Sequence, residues 1–169
     1  MTVAIPHGTS EAREGGVQHL HFQLRLPHPA VRVWHAVATP EGLPTWFAAA
    51  DVLEPRVGGA VTLRRMVPGT QGQSPVAEGH VTAWDMEGVA EYTVSGLGRI
   101  RFHLEPVSED ATVLRFTNEF QGTDGHRLDH LADWHHHFEL LADALDGRPV
   151  TDWSAWTPDR RGQLRREYE

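Results

Sequence analysis

Leu20, Phe22, Leu24 and Leu26 alternate with His21, Gln23 and Arg25, the two-residue period of a strand with one buried face. In "PHPAVRVWHAVAT" the period changes: Pro29 suits a first helical position, and Ala30, Val33, Trp34 and Val37 recur at helical spacing. "PEGLPTWF" predicts a second short helix that turns Leu43, Trp46 and Phe47 inward. Short strands follow, in "DVLEP", "RVGGAVTLRRM", "VAEGHVTAW", "VAEYTVS", "RIRFHLEPV" and "TVLRFTNEF". They are separated by the turns "DMEG", "GLG" and "SEDA" and by the loop "VPGTQGQSP". Hairpins of this kind predict an antiparallel sheet with one apolar and one wetter face. Leu131, Trp134, Phe138, Leu141 and Leu145 then share one side of a helix of about five turns, with Leu128 at its edge and Gly147 at its end. Such a helix belongs across the apolar face of the sheet.

Residues 1–16 are polar and glycine-rich without a period, and predict a flexible lead-in to a domain spanning 17–147. Residues 148–169 predict a tail that docks its tryptophans on the domain and ends in a short helix from Pro158.

Composition narrows the function. The net charge of -8 argues against nucleic acid as a partner. All fifteen basic residues are arginine, so an arginine here is weak evidence for an anion site. Cysteine is absent, which excludes disulfides and thiolate chemistry. No apolar run approaches the roughly 20 residues of a membrane span, and no signal peptide is visible; a cytoplasmic location is the expectation.

The order of elements, with particular residues, resembles the START-like SRPBCC superfamily, in the branch similar to the activator of heat-shock chaperone ATPase. The resemblance is carried by Val33-Trp34 in the proline-started helix and by Trp46-Phe47 closing the second. "RVGGAVTLR", "EGHVTAWD" and "FHLEPVSEDATVLRFTNEF" supply matching strands, and "DWHHHFELLADALDG" takes the place of the Gly-Trp helix. Asp133 stands where that family commonly has glycine, and Asn118 where histidine is frequent. The resemblance covers roughly residues 18–169. It implies an α+β helix-grip fold: a curved antiparallel sheet of six to seven strands around a long C-terminal helix, with two short helices after the first strand. It also implies a cavity between sheet and helix.

The candidate chemistry is sparse. The serines lack a nucleophile motif, and "SGLGR" lacks the third glycine of a dinucleotide loop, so no catalytic residue and no cofactor is assigned. His135, His136 and His137 point in three directions and predict ordinary helix surface. His126, His130, Asp133 and His137 form one stripe at i, i+4, i+7 and i+11. That stripe lies about 90° from the apolar face, and is read as a solvated flank with no metal site. The inward faces predict a ligand set: Phe22, Leu24, Leu63, Val81, Tyr92, Phe102, Phe116 and Asn118 from strands, with Trp46, Trp134 and Phe138 from above. Arg65 shares the parity of Leu63 and is placed at the mouth. Asn118 and Tyr92 are the polar anchors of this set. The sequence therefore predicts binding of a small hydrophobic molecule without catalysis. The alternatives are a polyketide cyclase/aromatase-like enzyme, with Asn118 or Tyr92 positioning an oxygen, and a co-chaperone-like interaction module; a protein partner is unknown.

Overall fold

A computed structural model describes residues 4–67, 76–153 and 157–169. Eight strands form one antiparallel sheet: β1 Thr9–Arg13, β2 Val17–Leu26, β3 Ala48–Leu53, β4 Ala60–Arg65, β5 Val76–Asp85, β6 Val89–Val94, β7 Gly98–Ser108 and β8 Ala111–Gln121. Their order across the sheet is β1-β2-β8-β7-β6-β5-β4-β3. Helix α1, Ala30–Ala38, follows β2; α2, Asp124–Leu145, follows β8; α3, Asp159–Tyr168, lies in the tail. Most of the loop "VPGTQGQSP" and Trp156 of the tail lie outside the described residues.

The alternation places the predicted inner face correctly. Leu20, Phe22, Leu24 and Leu26 of β2 are buried, and so are Leu104, Phe102 and Ile100 of β7 and Leu114, Phe116 and Asn118 of β8. Irregular pairing at Ala50/Val52, Val81/Ala83 and Pro106/Ser108 adds the local bends that let a sheet curve around a helix. Gly79 of β5 faces Val94 of β6, and a Cβ added there would lie 1.9 Å from the Thr93 carbonyl oxygen. Gly79→Ala is therefore expected to cost about 2–3 kcal/mol in a urea titration; a loss under about 0.5 kcal/mol would show that the strands separate freely there.

Helix α2 starts with a reciprocal cap. The Thr123 hydroxyl accepts from the His126 N–H at 3.2 Å, and His126 Nδ1 accepts from the Thr123 N–H at 3.1 Å. Its far end is held by α1 and the turn before it: Arg32 of α1 donates to the Leu145 carbonyl, and His28, ahead of α1, meets Asp146 at 2.9 Å. Gly147, at φ 88°, ends it as the sequence predicts.

Three expectations are corrected. The sheet has eight strands rather than six to seven, because Thr9–Arg13, placed in the flexible lead-in, pairs with β2 from Thr9↔His21 to Arg13↔Val17. The second short helix is a single 3-10 turn, Leu43–Thr45, although Leu43, Trp46 and Phe47 are buried as expected. The histidine triplet is not ordinary helix surface: His135 is 3% exposed and His136 9%. The reason is α3, which begins after Pro158 as predicted and packs along the outer side of α2. Arg160 pairs with Glu139, Arg161 with Asp133 and Asp129, and Arg165 with Asp129. Tyr168 reaches His135 at 2.8 Å and accepts the Gly8 N–H at 2.8 Å. Helix α2 is thus covered on two sides, by the sheet and by the tail.

Candidate functional site

The middle of the grip is filled. Phe116 packs against Phe102 at 5.1 Å, Phe138 at 5.0 Å and Trp134 at 4.4 Å between ring centroids. Phe22 and Trp46 also pack against Phe138, at 5.2 and 6.0 Å. The buried polar tips in this region are used by the protein itself. Trp46 Nε1 donates to the Ala36 carbonyl at 2.8 Å, and the Tyr92 hydroxyl donates to the Val37 carbonyl at 2.9 Å, so both fasten α1 to the body. Burial pushes the Tyr92 phenol well above its ordinary pKa, which keeps it a donor.

Asn118 is the most heavily committed side chain. Its amide nitrogen donates to the carbonyls of Leu97 at 2.8 Å and Arg99 at 3.1 Å. Its oxygen accepts from Trp134 Nε1 at 3.0 Å and faces His130 Nδ1 at 3.1 Å. Carbonyls only accept and an indole N–H only donates, so the amide has one possible orientation, and His130 must carry its proton on Nδ1.

A cavity of about 460 Å³ opens beside this packed centre, at the end of the grip where α2 begins. Leu63 and Arg65 of β4, Ala77 of β5 and the β6–β7 turn at Ser95, Gly96 and Leu97 form one side. Phe47, Ala48 and Phe120 close its edges. The α2 wall is His126, Asp129, His130, Asp133, Trp134 and His137, and Arg161 enters from α3. Of the twelve ligand residues expected from sequence, Leu63, Arg65 and Trp134 line this space. Phe22, Leu24, Trp46, Val81, Tyr92, Phe102, Phe116, Asn118 and Phe138 do not, since aromatic packing occupies the room their alternation seemed to leave.

The stripe read as a solvated flank is the cavity wall. Asp133 meets Arg161 Nε at 2.5 Å; burial nevertheless raises its carboxyl above the ordinary value, against the pull of that guanidinium. His130 stacks on Phe120 at 3.8 Å and 15°, and burial lowers its pKa to about 4. His137 donates from Nδ1 to the Asp133 carbonyl at 2.7 Å, packs edge-on against Phe47, and is likewise lowered to about 4 by burial. Both rings are neutral at pH 7. His126 is spent on the helix cap. Among the described residues no group of three or more His, Asp or Glu side chains is placed to hold a metal ion.

The architecture, an open antiparallel sheet gripping a long C-terminal helix, defines a START-like helix-grip protein. The sequence model of the family described as Activator of Hsp90 ATPase homolog 1-like protein matches residues 27–146, and the chain belongs to that family. None of the curated proteins compared matches it. Among solved structures it is similar to the conserved protein of unknown function EF2215 from Enterococcus faecalis, with a TM-score of 0.70 and 14% identity over 95% of this chain and 90% of that one. It is similar to CalU16 from Micromonospora echinospora, with a TM-score of 0.67 and 15% identity over 95% and 92%. It is also similar to the Aha1 dimer from Colwellia psychrerythraea, with a TM-score of 0.58 and 21% identity over 75% and 95%. At these identities the likeness is one of fold. Among the described residues no helix is long and apolar enough to cross a membrane.

Proposed function

We propose that this chain binds a small, largely apolar molecule in the cavity beside α2, without assigning it a reaction. The observation that carries the reading is the 460 Å³ space itself, within the range of small-molecule sites and walled by Phe47, Phe120 and Trp134 with a few polar groups among them. The alternative set in which Asn118 or Tyr92 positions a substrate oxygen is not supported, because both side chains are committed to protein partners.

A neutral fluorescent probe, N-phenyl-1-naphthylamine, tests the reading. It is expected to bind with enhanced emission and to quench Trp134. Ala77→Trp, which puts an indole into the space, should remove at least nine-tenths of that binding while the fold melts as before. Absence of probe binding to the unaltered protein would overturn the proposal, as would undiminished binding to the filled variant.

A further inference from the structure

The hydrogen-bonding groups of the cavity restrict what it accepts. Two cavity histidines have fixed tautomers. His130 carries its proton on Nδ1 because Asn118 Oδ1 is an acceptor, and His137 does so because the Asp133 carbonyl is one. Each ring therefore turns a bare lone pair outward at Nε2, and among the described residues no donor reaches either atom. An Nε2 lone pair in a cavity calls for a donor from the ligand.

The charges are equally unbalanced. Asp129 and Asp133 face Arg161, with Arg165 adding a second guanidinium to Asp129. Those carboxylates are answered from α3. Arg65 approaches from the opposite wall, on β4, and its field is felt at His130, Asp133 and His137. Among the described residues its guanidinium makes no ion pair within 4 Å and no hydrogen bond, although Asp133 lies within reach of its field. Arg65 is exposed, whereas His130 and His137 are half-buried. The space thus presents an arginine outside any ion pair on its β4 wall, aromatic side chains beside it, and fixed acceptors on its α2 wall.

We propose that the cavity takes a hydroxylated aromatic carboxylic acid, its carboxylate held by Arg65 and its hydroxyl donated to Nε2 of His137. Arg65 offers a fork of N–H groups to the carboxylate, and Phe47 and Trp134 flank the ring near His137. The proposal rests on the reading of the cavity as a small-molecule site and adds the ligand class to it.

Three related probes separate the parts: 6-hydroxy-2-naphthoate, 2-naphthoate lacking the hydroxyl, and 2-naphthol lacking the carboxylate. At pH 7.5 the hydroxynaphthoate is expected to bind about tenfold tighter than either, measured by titration calorimetry. Arg65→Met should remove its advantage over 2-naphthol, and His137→Leu its advantage over 2-naphthoate. Equal affinities for the three probes on the unaltered protein, a comparison that needs no variant, would overturn the assignment. So would a preference that survives Arg65→Met. If the neutral amine binds and the acid is not preferred, only the ligand class fails; if nothing binds, the cavity reading fails with it.

Discussion

Asn118→Ala is expected to lower stability by about 3–5 kcal/mol, the largest loss for any single substitution considered. The amide satisfies four groups at once: two carbonyls from the β6–β7 end of the sheet, the Trp134 indole and the His130 ring. Truncation leaves all four without it in a region where the residue itself is 0% exposed. Each abandoned buried donor or acceptor costs about 1–3 kcal/mol, and water entering from the neighbouring cavity offsets part of that. A urea titration measures the difference. A loss below about 1 kcal/mol would mean that water replaces the amide almost fully, and that the tautomer of His130 is not fixed by it. This residue was a candidate for positioning a substrate; its geometry makes it the rivet that joins sheet to helix.

Acid is expected to unfold the protein well before its carboxylates titrate. His130, His135, His136 and His137 are each held at about 4 chiefly by burial, while an unfolded histidine takes its proton near 6.5. Between those values the unfolded chain binds more protons than the folded one. Stability is therefore full above pH 6.5 and falls as the pH drops toward 4. For His137 alone the loss is on the order of 3 kcal/mol by pH 4. Asp133 acts in the opposite sense, because its raised pKa lets the folded state take up a proton first, but it is one group against four. Urea midpoints at pH 7.5, 6.0 and 5.0 should decline in order. A flat profile across that range would show that the four rings are solvated.

Most of the fold could be read because burial writes a period into the chain. Leu20 to Leu26 and Leu114 to Phe120 alternate since one face of each strand meets α2, and the Gly79 strand and the Trp46-Phe47 pair supplied the family likeness. "TSEAR" carried no such signal: β1 is an edge strand with no fully buried residue, so its pairing leaves no trace in hydrophobicity. The cavity was displaced for a related reason. Alternation reports which side chains point inward, but not whether six aromatics fill the space they point into. The stripe from His126 to His137 was seen as a set. Its burial depends on α3, whose arginines find Asp129 and Asp133 from about thirty residues away, and no local pattern on α2 announces a partner that distant.

The hydroxyl of Tyr168 is where residues 160 apart in sequence are joined, since it accepts from Gly8 while it meets His135. A Cβ at Gly8 would collide with the Phe22 ring at 2.5 Å, so the opening segment lies flat on the barrel-like curve just where the closing helix arrives. The polypeptide is in this sense a belt with its buckle over the triple-histidine turn. Tension applied to the two extremities would load that buckle first, and loosening it would bare the back of α2 and free the α3 arginines that pair with Asp129 and Asp133.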